Sequence, residues 1–108
     1  SIVVNAGAVG LPFDGDPRAA FALLHYNEGA WDAEIIRIPY EREPAERAFH
    51  DTGYFEEGGP MIPLILDELQ HARPNLRLWH NHFEDRVAAG EVSVEQSVRE
   101  FLNRRDEL

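Results

Sequence analysis

Cysteine is absent from the 108-residue chain. Its absence excludes disulfide bonds, zinc sites built from thiolates and a cysteine nucleophile, and it is typical of proteins from a reducing cytosol. No apolar run approaches the roughly 20 residues that a membrane-spanning helix needs. No signal peptide is visible either. We therefore expect a cytoplasmic protein without a membrane partner.

Basic residues are also scarce, since 10 of them stand against 20 Asp and Glu residues and leave a net charge of −10. This balance disfavours nucleic acid as a partner, because its phosphates would be repelled. The length allows at most one domain with a modest core. The only methionine is Met61, so we expect the native protein to carry residues before Ser1.

The chain opens on a β-branched run, Ile2-Val3-Val4, which is suited to a strand buried on both faces. Turn-forming residues follow this run: Gly7, Gly10, Pro12 and Asp14-Gly15-Asp16-Pro17. This order argues against a dinucleotide-binding fingerprint, which needs three spaced glycines and a helix directly afterwards. It also argues against an EF-hand, because His25 stands where the bidentate glutamate should be.

The stretch from Val4 to Ala19 has the pattern Val-Asn-x-Gly-x-Val-Gly-x-Pro-x-Asp-Gly-Asp-Pro-Arg-Ala. It resembles the late signature of calcineurin-like metallophosphoesterases, especially their small bacterial phosphodiesterase and phosphatase branch. The usual form in that family is V-N-P-G-S-V-G, so Ala6 and Ala8 replace a proline and a serine. The resemblance implies hydrolysis of a small phosphoester by two divalent metal ions, commonly manganese, iron, zinc or nickel.

The same resemblance places this loop beside the metal centre, with Asn5, Gly7 and Arg18 as the wall of the substrate pocket. A structural role remains an alternative for two of these residues. The Asn5 side chain can bond the loop backbone, and Arg18 can pair with the aspartates that precede it.

The family's metal ligands come from the motifs D-x-H, G-D-x-x-D, G-N-H-[DE] and G-H-x-H, which all precede the loop. None is present in that order here, so we expect this chain to hold no catalytic residue and no metal. The segment Trp79-His80-Asn81-His82-Phe83 contains His-x-His, but side chains two residues apart point to different faces of a helix. His80 with Glu84, or His82 with Asp85, would be better placed, and an exposed polar helix face is the default interpretation.

The patterning predicts an α+β fold. Arg18 to Tyr40 is typical of a β-hairpin that turns at Asn27-Glu28-Gly29, and with Ile2–Val4 it gives three strands. About four helices follow, near residues 43–52, 62–72, 75–89 and 93–102, the last opened by a capping box of Ser93 and Gln96. Under the resemblance, residues 1–42 belong to the αββα sandwich and residues 43–108 form a helical C-terminal extension.

Two functions follow from these observations. The first is metal-dependent phosphoester hydrolysis by the full protein, in which this chain is a non-catalytic C-terminal portion and is inactive alone. The second is a non-catalytic interaction or dimerisation module that uses the helices of residues 43–102. A three-stranded sheet leaves an edge and a face uncovered. The expected partner is therefore the N-terminal half of the same protein or, in a homo-oligomer, a second copy.

Overall fold

The computed structural model describes every residue from Ser1 to Leu108. Its fold is α+β, as predicted, and the strands precede the helices in the chain. The strands are β1 (Ala19–Asn27) and β2 (Ala30–Ile38). The helices are α1 (Glu43–Asp51), α2 (Tyr54–Glu57), α3 (Ile62–His71), α4 (Asn75–Ala88) and α5 (Val94–Arg104), and a 3₁₀ turn follows at Arg105–Glu107. No helix is both long and apolar enough to cross a membrane.

The two strands form the predicted hairpin. They pair antiparallel from Ala19 opposite Ile38 to Asn27 opposite Ala30. The two residues between them, Glu28 and Gly29, have φ angles of 51° and 83°. Two successive positive φ angles define a type I′ turn, whose twist matches that of the flanking strands.

The prediction of a third strand at Ile2–Val4 is wrong, because the sheet has only two strands. Ile2–Val4 makes no backbone hydrogen bond to the hairpin; the nearest one along the chain is from Ala20 N to Ala8 O, at 2.9 Å. The side chain of Val3 is 92% exposed. β-Branched residues favour a strand through packing on a sheet face, and nothing packs on the outer side of this segment.

The four predicted helices are present with ends shifted by one or two residues, and α2 is an additional short helix. The predicted capping box is confirmed: Ser93 Oγ accepts from Gln96 N, and Gln96 Oε1 accepts from Ser93 N, both at 3.1 Å. Sequence patterning missed α2 because its four residues lie between Gly53 and Gly58 in a stretch typical of a loop.

The hydrophobic core lies among α3, α4 and α5, and consists of Leu64, Phe83, Val98 and Phe101. The rings of Phe83 and Phe101 meet edge to face with centroids 6.4 Å apart. Leu64 is fully buried, although the apolar side chains of α3 are not confined to one face of the helix. The reason is that α3 contacts four other helices and so buries more than one face. By contrast, α1 buries none of its residues.

The hairpin and the helices are joined only through the loop before β1 and the segment after β2. No Cα atom of either strand lies within 8 Å of a helix Cα atom. Gly15 N donates to Ala72 O at 2.8 Å, and Arg42 Nη1 donates to Leu69 O and Gln70 O at 3.2 and 3.1 Å. These bonds tie both ends of the hairpin to the end of α3.

The molecule is extended for its size. Its radius of gyration is 17.7 Å, whereas a compact domain of this length has about 13 Å. Its accessible surface is 7443 Å², against about 6,100 Å² for a folded monomer of the same mass. The excess surface is concentrated where the hairpin stands apart from the helices.

Replacing Leu64 by alanine is expected to destabilise the helical part by about 2–5 kcal/mol, because it removes a fully buried side chain and leaves a cavity. The matched control is Leu24→Ala in the exposed part of the hairpin, which should leave helix unfolding almost unchanged. Urea unfolding followed by the helical circular-dichroism signal measures both. Equal losses in the two variants would contradict this location of the core.

Candidate functional site

The loop that carries the family resemblance, residues 5–18, is shaped by its own side chains and is called the signature loop below. Asn5 Oδ1 accepts a hydrogen bond from Gly7 N at 2.9 Å, which closes an Asx turn. Gly7 has a φ angle of 86°, and a Cβ atom there would lie 3.0 Å from Ala20 Cβ. The backbone-bonding role considered for Asn5 is therefore present, and Gly7 lets the loop lie directly against β1.

An open groove of about 310 Å³ lies between the signature loop and β2. Asn5 and Gly7 line one side, Ile35 and Arg37 line the other, and Asp14 closes one part. Arg18, the third residue predicted for a pocket wall, is outside this groove and lines a separate surface pocket with Pro17, Pro39, Tyr40 and Arg42. The structure thus brings two of the three predicted residues together.

Acidic and basic side chains link the signature loop to β2. Arg37 Nη2 lies 2.7 Å from Asp14 Oδ2, and Arg37 Nε lies 3.6 Å from Asp16 Oδ2. Arg18 Nη2 lies 2.8 Å from the same Asp16 oxygen. Arg18 therefore pairs with a preceding aspartate, as the structural alternative for it proposes.

These pairs keep the two carboxylates ionised. The hydrogen bond from the Arg18 side chain, with that from its backbone N–H, holds the pKa of Asp16 far below its usual range. The hydrogen bond from Arg37, followed by that from the Asp16 backbone N–H, lowers the pKa of Asp14. Because the pairs are exposed, each adds little stability. Their effect is to set the loop's position and to neutralise both guanidinium groups.

Sequence reasoning missed Arg37 and Asp14 as groove residues. In the sequence Asp14 belongs to a run of turn-forming residues, and Arg37 lies within the second predicted strand without any sign of a role. The two-residue period of a strand does place Arg37 on the same face as Ile35 and Ala33, opposite Ala20. The period identifies the face of the hairpin on which Arg37 lies but not the loop that covers this face. The pairing of Arg37 with Asp14 could therefore not be deduced from the sequence pattern.

The residues of this chain do not fit a metal centre. No three of its His, Asp and Glu side chains lie close enough together to hold an ion. In the His-x-His segment of α4, His80 Nδ1 lies 2.5 Å from Glu84 Oε2, and His82 Nδ1 lies 2.8 Å from Leu78 O. The two histidines have separate partners, so no step of metal chemistry is assigned to them.

Comparison with family models, with curated protein sequences and with solved structures gave no match to this chain. The resemblance to metallophosphoesterases therefore depends on the residues of the signature loop themselves. The Asx turn, the left-handed glycine and the acid–arginine pairs describe how that loop is built.

Replacing Gly7 by alanine is expected to loosen the signature loop by about 1–2 kcal/mol, the cost of a left-handed conformation for a residue with a Cβ atom. Amide exchange of Ala20, whose N–H is bonded to Ala8 O, should then become about 5- to 30-fold faster. The matched control is Gly10→Ala, where a Cβ atom meets nothing within 4 Å. Equal exchange rates in both variants would contradict the close contact at Ala20.

Proposed function

We propose that this chain is the non-catalytic C-terminal part of a calcineurin-like metallophosphoesterase that hydrolyses phosphoesters. The observation that carries the proposal is the signature loop, which lies in a stretch that resembles the family densely from Val3 to about Ala22, apart from Ala6 and Ala8. The open hairpin that follows the loop supports it, since a sheet of a sandwich fold is covered on both faces.

Both faces of the hairpin carry exposed apolar side chains beside a few charged ones. One face carries Ala22, Leu24, Tyr26, Trp31 and Ile35, and the other carries Phe21, Leu23, Ile36 and Ile38. Residues Ser1 to Val4 border part of the first face, leaving a groove beside Leu24 and Trp31. No helix lies near either strand. Exposed apolar patches of this kind mark surfaces that another layer covers.

The outer edge of β2 is also open. Hydrogen-bonded and non-hydrogen-bonded pairs alternate along an antiparallel pair, and the two-residue turn makes Asn27–Ala30 a hydrogen-bonded pair. The N–H and C=O groups of Trp31, Ala33 and Ile35 therefore point away from β1, and of these groups only the Ala33 N–H has a side-chain partner, Asp32 Oδ1 at 3.0 Å. An exposed edge of this kind is a template for pairing with another strand, which supports continuation of the sheet by further strands of a larger protein.

Within the proposed enzyme, this chain shapes one wall of the substrate pocket. Asn5 fixes the turn of the signature loop, and Gly7 allows the loop backbone to pack closely on β1. In the full protein, two divalent ions held by residues outside this chain would supply the hydrolytic chemistry. Ion pairs with Asp16 and Asp14 compensate the charges of Arg18 and Arg37. The role of these two arginines is therefore to position the loop.

The isolated chain is expected to release no nitrophenolate from bis(p-nitrophenyl) phosphate in the presence of a manganese salt. The product of the complete native gene should hydrolyse the same compound, and EDTA should abolish that activity. The coding sequence before Ser1 should contain the D-x-H and G-H-x-H motifs.

Turnover by the isolated chain would overturn the proposal, as would an upstream sequence without these motifs. In the latter case the open hairpin favours the second function, an interaction or dimerisation module. Sedimentation equilibrium would then show a dimer of the isolated chain that Ile38→Arg dissociates, because Ile38 lies on the uncovered face.

A further inference from the structure

The groove between the signature loop and β2 presents no uncompensated charge to a ligand. Its two charged lining residues pair with each other, since Arg37 Nη2 lies 2.7 Å from Asp14 Oδ2. The only other polar side chain in the lining is that of Asn5, whose Oδ1 atom already accepts from Gly7 N. The remaining lining residues are small or apolar: Ala6, Gly7, Ala8, Pro12, Phe13 and Ile35.

These features disfavour a phosphate group in the groove. Proteins hold phosphate with arginine or lysine side chains and with free backbone N–H groups. Arg37 is bonded to Asp14 and also lies 3.6 Å from Asp16. The hydrogen bond from Arg37 lowers the pKa of Asp14, so this carboxylate stays negative beside any ligand. A phosphate here would therefore meet no free cation and would be repelled by Asp14.

The apolar part of the lining suits a flat, uncharged ring. Phe13 comes from the signature loop and Ile35 from β2, and both side chains are exposed. A bound ring would remove their apolar surfaces from water, and aromatic rings and guanidinium groups both pack well on such a ring. The groove volume of about 310 Å³ is at the small end of the range for ligand pockets.

We propose that this groove holds the uncharged aromatic ester group of a phosphodiester, and not a further phosphate. This assignment rests on the proposed function, since only the full protein would supply the hydrolytic centre beside the signature loop. The aromatic ring would pack against Phe13 and Ile35, with the compensated pair of Asp14 and Arg37 at its border. The hydrolase would therefore prefer aromatic phosphodiesters to inorganic polyphosphates.

Amide NMR spectra of the isolated chain, recorded with three probes, test the groove directly. The probes are benzyl alcohol, the non-aromatic cyclohexylmethanol of similar size, and inorganic tripolyphosphate. Benzyl alcohol at millimolar concentration should shift the amide signals of Gly7, Ile35 and Arg37, and cyclohexylmethanol should shift them less. Tripolyphosphate should leave these signals in place at the same ionic strength.

Phe13→Ala should weaken the binding of benzyl alcohol about fivefold, the loss expected for one aromatic contact. The matched control is Phe21→Ala, an exposed phenylalanine on the opposite face of the hairpin, which should bind like the unaltered chain. Both variants should keep the circular-dichroism spectrum. In the product of the complete gene, Phe13→Ala should raise KM for bis(p-nitrophenyl) phosphate by a similar factor and leave kcat almost unchanged, because it removes only uniform binding.

Four results of the titration would overturn this assignment: no shifts with benzyl alcohol, equal shifts with cyclohexylmethanol, larger shifts with tripolyphosphate, or equal binding by Phe13→Ala and Phe21→Ala. The titration needs neither a metal nor a phosphoester, so it is separate from the test of the hydrolase. An unchanged KM after Phe13→Ala in an active gene product would contradict the aromatic site alone. A gene product that hydrolyses no phosphoester would contradict the hydrolase proposal, and with it the assignment of the groove to a substrate.

Discussion

A two-stranded sheet with apolar side chains on both faces cannot bury those side chains by itself, and this constraint determines the shape of the molecule. Such a hairpin is marginally stable alone in water. The five helices build their own core around Leu64 and Phe101 and leave the strands uncovered. The extended shape and the excess surface follow from this separation. The hairpin is consistent with an element of a sheet that is completed by other residues.

The signature loop is the joint between the two parts. It is bonded to the end of α3 through Gly15, to β2 through Asp14, and to β1 through Ala8. The same loop forms the groove beside Asn5 and supplies Leu11 and Phe13 to a second cavity, which Glu68 of α3 also lines. Changes in the loop will therefore affect both cavities, whose linings share Phe13.

Local sequence signals predicted the local structure well. The Asn27-Glu28-Gly29 turn and the Ser93 capping box depend on residues within a few positions of one another, and both are present. The prediction of a third strand at Ile2–Val4 was wrong because a strand needs a hydrogen-bonded neighbour and a covered face. Residue propensity carries no information on either requirement. At the site, Asn5 and Gly7 were predictable from the loop motif. The pairing of Arg37 with Asp14 was not, because it joins residues 23 positions apart through tertiary packing.

The most direct test of the central claim, that the hairpin is completed by another part of a larger protein, is amide hydrogen exchange along β2. In the isolated chain the outward-facing amides of Trp31 and Ile35 should exchange nearly as fast as in an unstructured peptide, whereas that of Ala33 donates to Asp32 Oδ1 and is left out of the comparison. In the product of the complete native gene the same amides should be strongly protected. Protection in the isolated chain equal to that of Phe101 in α5, or no gain in the complete protein, would contradict the account.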